Sequence, residues 1–196
     1  MFLLDMRKEV KNMIYFTSDL HLGHPNIIRK KNRPFQNIEE MSVVLIRNIN
    51  NLCTRHDTLV ILGDLAYHQS VQKTEEQIAE LNPKLVLVRG NHDGDYNPGL
   101  FEFVGDYKKI KLYNRGVVLC HYPFMDWDGY HRESLHLHGH QHNFREYNER
   151  MRDSGIRRYD VGVDANDYRP VSAKEIFDFF GLDTDDFGNS MKKIMW

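Results

Sequence analysis

Five short apolar runs in this chain each stop abruptly at side chains that can bind a metal ion. The third run, Leu85–Val88, is followed by Arg89-Gly90 and then by Asn91-His92-Asp93. A short apolar run that ends near a glycine is typical of a buried strand. The candidate ligands at the five ends are Asp19, His21, Asp64, Asn91, His121, His140 and His142. Because strand ends converge at the carboxyl edge of an open α/β sheet, the sequence predicts that these side chains meet in one site.

Amphipathic patterns between the apolar runs predict helices. The clearest follows a capping box formed by Asn37 and Glu40, and its apolar residues recur at helical spacing over Ile38–Leu52. Further helices are expected over 70–82 and 172–180, strands over 13–17, 58–62, 85–88, 107–112, 117–120, 135–138 and 157–163, and a loop over 94–106. Strands that alternate with helices indicate the α/β class, and the hairpin around Asn114 favours mixed sheets.

The composition is that of a globular chain. Apolar residues make up 41% and the net charge is −2 with histidine neutral, which argues against disorder and against general binding to polyanions. Two cysteines, Cys53 and Cys120, are too few for a disulfide framework, so we expect free thiols and a cytoplasmic protein. No apolar run approaches the length that spans a bilayer, about 20 residues. We expect one domain over residues 1–196, with an extension over 1–12 and a tail over 183–196.

The predicted ligands are imidazoles, carboxylates and one amide, without a thiolate. This set suits manganese, iron or zinc better than calcium and excludes none of those three. Seven donors exceed the about four that one tetrahedral site needs, and two ions that share a carboxylate, best supplied by Asp64, account for the number. In extended backbone, Asp19 with His21 and His140 with His142 would each project two donors to one side and bind a single ion. Any one of these residues alone could instead be a cap, a turn or a surface group, but the set as a whole is not explained in that way.

Five motifs follow one another in a recognisable order. They are Asp19-x-His21, Gly63-Asp64, Gly90-Asn91-His92-Asp93, His121 and Gly139-His140-Gln141-His142. The set resembles the signature of the calcineurin-like metallophosphoesterase superfamily over residues 14–142. Asn32-Arg33-Pro34-Phe35 and His121-Tyr122-Pro123 add similarity to a branch of small, single-domain and largely uncharacterised members. The resemblance implies an α/β fold in which two mixed β-sheets form a four-layer sandwich with flanking α-helices.

The resemblance also implies a role for each matching residue. Asp19, His21 and His142 would hold one divalent ion, Asn91, His121 and His140 a second, and Asp64 would bridge both. His92 would not be a ligand but would face the substrate, where it would give a proton to the leaving oxygen or stabilise the charge there, and Asp93 would orient His92. Two such ions, with manganese expected and iron or zinc as alternatives, can activate a bridging hydroxide for in-line attack on phosphorus.

The expected activity is metal-dependent hydrolysis of a phosphate ester. A phosphodiester is favoured, because the architecture is capless and because Gly63-Asp64 lacks the following arginine of the family's protein phosphatases. The alternatives are a phosphomonoesterase acting on a small metabolite or nucleotide, and a non-catalytic binding scaffold. His24 and Arg33 are candidate substrate contacts. The alternatives are a position at the surface or behind the ligands for His24 and a solvated loop position for Arg33. We expect no membrane and no obligate protein partner.

The remaining histidines lie outside the motifs. They are expected at the surface or behind the ligands, and they are His56, His68, His131, His136 and His138.

Overall fold

The computed structural model describes residues 12–184, which form two mixed β-sheets. In the first sheet, β1 (Ile14–Thr17), β2 (Thr58–Ile61), β3 (Lys84–Val88) and β4 (Phe103–Gly105) pair in parallel in that order. The second sheet comprises β5 (Lys108–Leu112), β6 (Arg115–Leu119), β7 (Leu135–His138) and β8 (Arg158–Asp160). In it, β5 runs antiparallel to β6, and β6, β7 and β8 are parallel. Finally, β9 (Val171–Ser172) returns to pair antiparallel with β1.

Five α-helices accompany the sheets. They are α1 (Pro25–Lys30), α2 (Ile38–Leu52), α3 (Val71–Ile78), α4 (Arg145–Asp153) and α5 (Ala173–Phe179). The capping box expected at Asn37 and Glu40 is only half formed: the Asn37 side chain accepts the backbone N–H of Glu40, but the Glu40 carboxylate accepts the N–H of Gln36 and not that of Asn37. At the start of α5, Ser172 and Glu175 close a full capping box. Among the described residues, no helix has the length and apolar character needed to cross a bilayer.

Alternate residues of the central strands face two different cores. On β2, Val60 joins the core between the two sheets, whereas Leu59 and Ile61 join the core beneath α2. A strand that is buried on both faces needs a continuous apolar run, which is why β2 and β3 carry no polar alternation. The α2 helix covers the outer face with Met41 and Leu45.

The fold class is confirmed, with two mixed sheets and flanking helices, but some elements differ from the expectations. The expected loop over 94–106 contains the edge strand β4, and α4 was not predicted because its sequence is almost entirely polar. The strand expected over 157–163 is shorter, ending at Asp160. The extension expected over 1–12 and the tail over 183–196 fall, apart from residues 12, 183 and 184, outside the described residues.

Candidate metal centre

The carboxyl ends of β1, β2, β3, β6 and β7 meet at one edge of the sandwich. The seven predicted ligands lie on the turns that directly follow these strands. The turns are joined to one another by backbone hydrogen bonds, from the N–H of Asp19 to the carbonyl of Gly63 and from the N–H of His21 to the carbonyl of Asp64, each 3.0 Å long. The donor atoms are therefore positioned by the sheets and not by flexible loops.

Asp19, His21 and His142 form the first donor group. One ligand atom from each lies within 4.8 Å of the others. The Nε2 atoms of His21 and His142 are 3.1 Å apart, and Nε2 of His142 is 3.7 Å from Oδ1 of Asp19. Asp19 and His21 are buried, and the His142 side chain is 10% exposed.

Asp64, His121 and His140 form the second donor group, again with ligand atoms within 4.8 Å of one another. Nε2 of His121 lies 3.2 Å from Nδ1 of His140 and 3.2 Å from Oδ1 of Asn91, so the amide oxygen joins this group. The opposite nitrogen of His121, Nδ1, donates to the carbonyl of Leu62 at 2.8 Å. This hydrogen bond leaves the Nε2 lone pair facing the centre, as a metal ligand requires.

Asp64 lies between the two groups. Its Oδ2 is 3.5 Å from Nε2 of His21, and its Oδ1 is 3.5 Å from Nε2 of His121. One carboxylate therefore faces both groups with a different oxygen, the placement that a bridging ligand needs.

Burial sets the protonation of the donors. It lowers the pKa values of His21 and His140, and the neighbouring His142 and His121 lower them further, so both imidazoles are neutral and able to bind a cation. Burial also raises the pKa of Asp19 well above its usual value, with the carboxylates of Asp160 and Asp64 adding to the effect. A carboxylate in this position is stabilised by a nearby cation, so the donor set fits a binuclear divalent-metal site.

Five of the seven predicted ligands have a left-handed backbone. The φ angles are +58° at Asp19, +50° at His21, +53° at Asp64, +71° at His140 and +51° at His142. The expectation of an extended backbone at Asp19 with His21 and at His140 with His142 is therefore wrong, because each pair lies in a tight turn. His140 and His142 also belong to different donor groups, so they are not placed to bind a single ion together. Left-handed residues other than glycine are uncommon and strained by about 1–3 kcal/mol each, and such strain concentrates at functional sites.

Glycines allow the turns to approach one another closely. At Gly63, where φ is +83°, a methyl group would lie 2.5 Å from Nδ1 of His121 and 2.5 Å from the backbone nitrogen of Gly90. At Gly90 it would collide with the Asp64 carboxylate. Both positions need glycine because the ligands pack directly against their backbone.

His92 stands at the open side of the centre. Its side chain is 32% exposed, its Nε2 lies 4.0 Å from Oδ2 of Asp64, and its ring packs on Tyr67 with the centroids 4.1 Å apart. Asp93 makes different contacts from those expected. Its carboxylate accepts the backbone N–H groups of Gly90 at 2.8 Å and of Asp64 and Leu65 at 2.9 Å. These bonds orient the backbone that carries His92 and do not reach the imidazole ring.

The two candidate substrate contacts differ in their surroundings. His24 is buried, with its ring centroid 5.3 Å from that of His21, and burial lowers its pKa to about 4. Its contact with substrate stays a prediction. The Arg33 side chain is fully buried and forms a salt bridge with Asp164, so neither the expected substrate contact nor a solvated loop position applies to it.

Two of the remaining histidines are not at the surface, and one residue beside the centre was not identified from the sequence. His136 and His138 are fully buried, and His138 contacts the carbonyl of Gly139, next to His140, so the expected position behind the ligands applies to His138. Asp164 accepts a hydrogen bond from Nδ1 of His142 at 2.8 Å. A carboxylate shortly after a strand was the available signal for Asp164, since the ligands at the other strand ends follow the same pattern.

Comparison with known proteins identifies the family. Residues 13–179 match the family described as calcineurin-like phosphoesterase. The chain is similar to the uncharacterised protein MJ1445 of Methanocaldococcus jannaschii, with 33% identity over 86% of this chain and 89% of that protein. It is also similar to the gene 66 protein of Mycobacterium phage L5, with 28% identity over 84% of this chain and 92% of that protein. Among solved structures, the protein of unknown function AQ665 from Aquifex aeolicus superposes with a TM-score of 0.70 and 30% identity, covering 85% of this chain and 98% of that one. The match extends over most of the chain and includes every strand that carries a donor, and the chain therefore belongs to the calcineurin-like phosphoesterase family.

Proposed function

We propose that this protein is a binuclear metal-dependent phosphodiesterase. The family and the two donor groups support metal-dependent hydrolysis of phosphate esters in general. The observation that carries the proposal is the position of Asp64 between the two groups, with the partly exposed His92 ring beside it.

The chain's own residues have separable tasks in this reaction. Asp19, His21 and His142 would hold one ion, Asn91, His121 and His140 the other, and Asp64 both. When bound, the ions supply a nucleophile from water at neutral pH and offset the negative charge of the phosphate. His92, when its ring carries a proton on both nitrogens, donates the Nε2 proton to the oxygen of the departing alcohol and is left as a neutral imidazole, a task that suits a side chain at the open side of the site. Asp93 holds together the turn that carries Asp64 and the turn that carries His92.

The state of Arg33 supports the preference for a diester. A phosphomonoester carries a second negative charge and gains most from an additional cationic side chain. The guanidinium of Arg33 is fully engaged by Asp164 and by the backbone, so it does not supply that charge. The donor set of nitrogen and oxygen ligands suits manganese, with iron and zinc as alternatives. The buried free thiols of Cys53 and Cys120 fit the reducing cytosol that we propose as the compartment.

Hydrolysis of two model substrates tests the proposal. Purified protein is stripped of metal, reloaded with manganese and assayed on bis-p-nitrophenyl phosphate and on p-nitrophenyl phosphate. We expect diester turnover that requires metal, is lost in Asp64→Asn, and is unchanged in Asp95→Asn, an exposed carboxylate that lies just after the turn following β3. Faster turnover of the monoester would overturn the substrate class and keep the reaction class. The absence of stoichiometric metal binding would overturn the whole assignment.

A further inference from the structure

We propose that Arg33 and Asp164 form a positioning pair that fixes the geometry of the first donor group alone. This inference rests on the proposed function, since the first donor group is taken to hold an ion. It assigns to Arg33 a role behind the metal site and not a contact with the phosphate.

The guanidinium of Arg33 connects Asp164 to the turn that carries the first ligands. Its Nε and Nη2 donate to the two carboxylate oxygens of Asp164, both at 2.8 Å. Nη2 also donates to the carbonyl of Asp19 at 2.8 Å, and Nη1 donates to the carbonyl of Leu20 at 3.2 Å. These carbonyls belong to the left-handed turn in which Asp19 and His21 lie. The rigid fork of an arginine can hold this turn and the carboxylate in one fixed relation, which the point charge of a lysine cannot.

Asp164 also contacts His142, the third ligand of the first donor group. Its Oδ2 lies 2.8 Å from Nδ1 of His142, and a carboxylate that is paired with a guanidinium can only accept there. Nδ1 of His142 must therefore carry the proton, which leaves the Nε2 lone pair directed at Nε2 of His21, 3.1 Å away. An acceptor behind a metal-ligating histidine fixes both its tautomer and its ring orientation.

The second donor group has a different support. His121 donates to the carbonyl of Leu62, a neutral main-chain acceptor, and the hydrogen bonds of Arg33 and Asp164 reach none of the second group's residues. The positioning pair therefore acts on one half of the centre. A buried ion pair adds little net stability compared with apolar residues of the same shape, so the main consequence of this one is the geometry that it imposes.

Manganese binding measures this role without any substrate. Full-length wild type, Asp164→Asn and Arg33→Lys are titrated with manganese by calorimetry, and the spectrum of the bound ions is recorded by electron paramagnetic resonance. In Asp164→Asn we expect one of the two ions to bind about 10- to 100-fold more weakly while the other keeps its affinity. The spin-coupled spectrum of the ion pair should be replaced by that of an isolated ion. Arg33→Lys should weaken the same ion by a smaller factor, because the charge is kept and the fork is lost.

Asp57→Asn is the matched control. Asp57 is also buried and accepts hydrogen bonds from the backbone of Met13 and Thr54 at the opposite end of β2. Asp57→Asn should lower the melting temperature and leave both manganese affinities unchanged. The proposal is overturned if Asp164→Asn and Arg33→Lys keep two ions at wild-type affinity, or if both ions weaken equally in a folded variant. Two ions bound by a wild type that hydrolyses neither ester would contradict the proposed function, and the binding data would still decide the role of Arg33 and Asp164.

Discussion

Asp64 and Asp93 hold each other's turn through their carboxylates. Oδ2 of Asp93 accepts the backbone N–H of Asp64 at 2.9 Å, and Oδ1 of Asp64 accepts the backbone N–H of His92, the neighbour of Asp93, at 3.0 Å. The turns that follow β2 and β3 are thereby joined in both directions. Asp93 thus supports the central carboxylate of the site from behind.

Replacement of Asp93 tests this support. Asp93→Asn keeps one acceptor oxygen but places an amide N–H₂ opposite backbone N–H groups that now lack an acceptor. We expect a loss of about 1–3 kcal/mol in the free energy of unfolding, measured in urea. Asp95→Asn, two residues away and exposed, should change this free energy by less than about 0.5 kcal/mol. Equal effects of the two substitutions would contradict the proposed support.

Removal of the His92 imidazole should separate metal binding from catalysis. We expect His92→Ala to lower turnover of the diester by about 100-fold or more, because proton donation by a placed side chain contributes about that much. Two manganese ions should remain bound, since the His92 ring belongs to neither donor group. His131→Ala, at an exposed position, is the control and should leave turnover unchanged. Loss of both ions in His92→Ala would show that His92 is a ligand.

Substitution of two glycines distinguishes steric crowding of the added methyl group from backbone strain. Gly63 and Gly155 both have left-handed φ angles, +83° and +72°, but a methyl group at Gly155 would meet no atom within 4 Å. Gly155→Ala should therefore cost only the backbone preference, about 1–2 kcal/mol. Gly63→Ala should cost more and should also weaken manganese binding, because the methyl group displaces His121. The comparison uses melting temperature and metal titration, and similar values for the two variants would argue against close packing at the centre.

His136 should make the protein sensitive to acid. Its Nδ1 donates to the carbonyl of Val118 and its Nε2 accepts the backbone N–H of Phe124, and burial lowers its pKa to about 3. An unfolded histidine has a pKa of about 6.5, so the folded state binds fewer protons between these values. Stability is then complete above about pH 6.5 and falls by up to about 1.4 kcal/mol per pH unit as the pH decreases.

Urea unfolding at several pH values measures this slope. His136→Gln cannot take up the proton, so its free energy of unfolding should change less steeply with pH than that of wild type. His131→Gln, at an exposed position, should keep the wild-type slope. A slope in His136→Gln as steep as in wild type would assign the acid sensitivity to other groups.

Strong periodicity is what made the main elements predictable from the sequence. The apolar spacing over Ile38–Leu52 gave α2 with its bounds, and the runs of β2 and β3 were found because both of their faces are buried. The α4 helix lacks such a stripe, since only Tyr147 and Asn148 are buried along it. The short edge strand β4 depends on pairing with β3, a relation that local sequence does not carry.

Some features of the candidate site were likewise predictable from the sequence, and others were not. The residue types at the strand ends indicated which side chains would come together, and the structure does bring them together. The left-handed turns were not predictable, because hydrogen bonds between distant turns impose them, such as that from His21 to Asp64. Arg33 and Asp164 are 131 positions apart, so no local pattern connected them.

The left-handed conformation of the ligand turns also affects which substitutions at the site would increase stability. A descendant released from the need to bind metal could exchange His140 or His142 for glycine or asparagine and become more stable, because those residues adopt positive φ at lower cost. Recovery of the site would require the strained histidine and the metal ion to return together. Decay of the centre is therefore thermodynamically downhill, and its recovery is uphill.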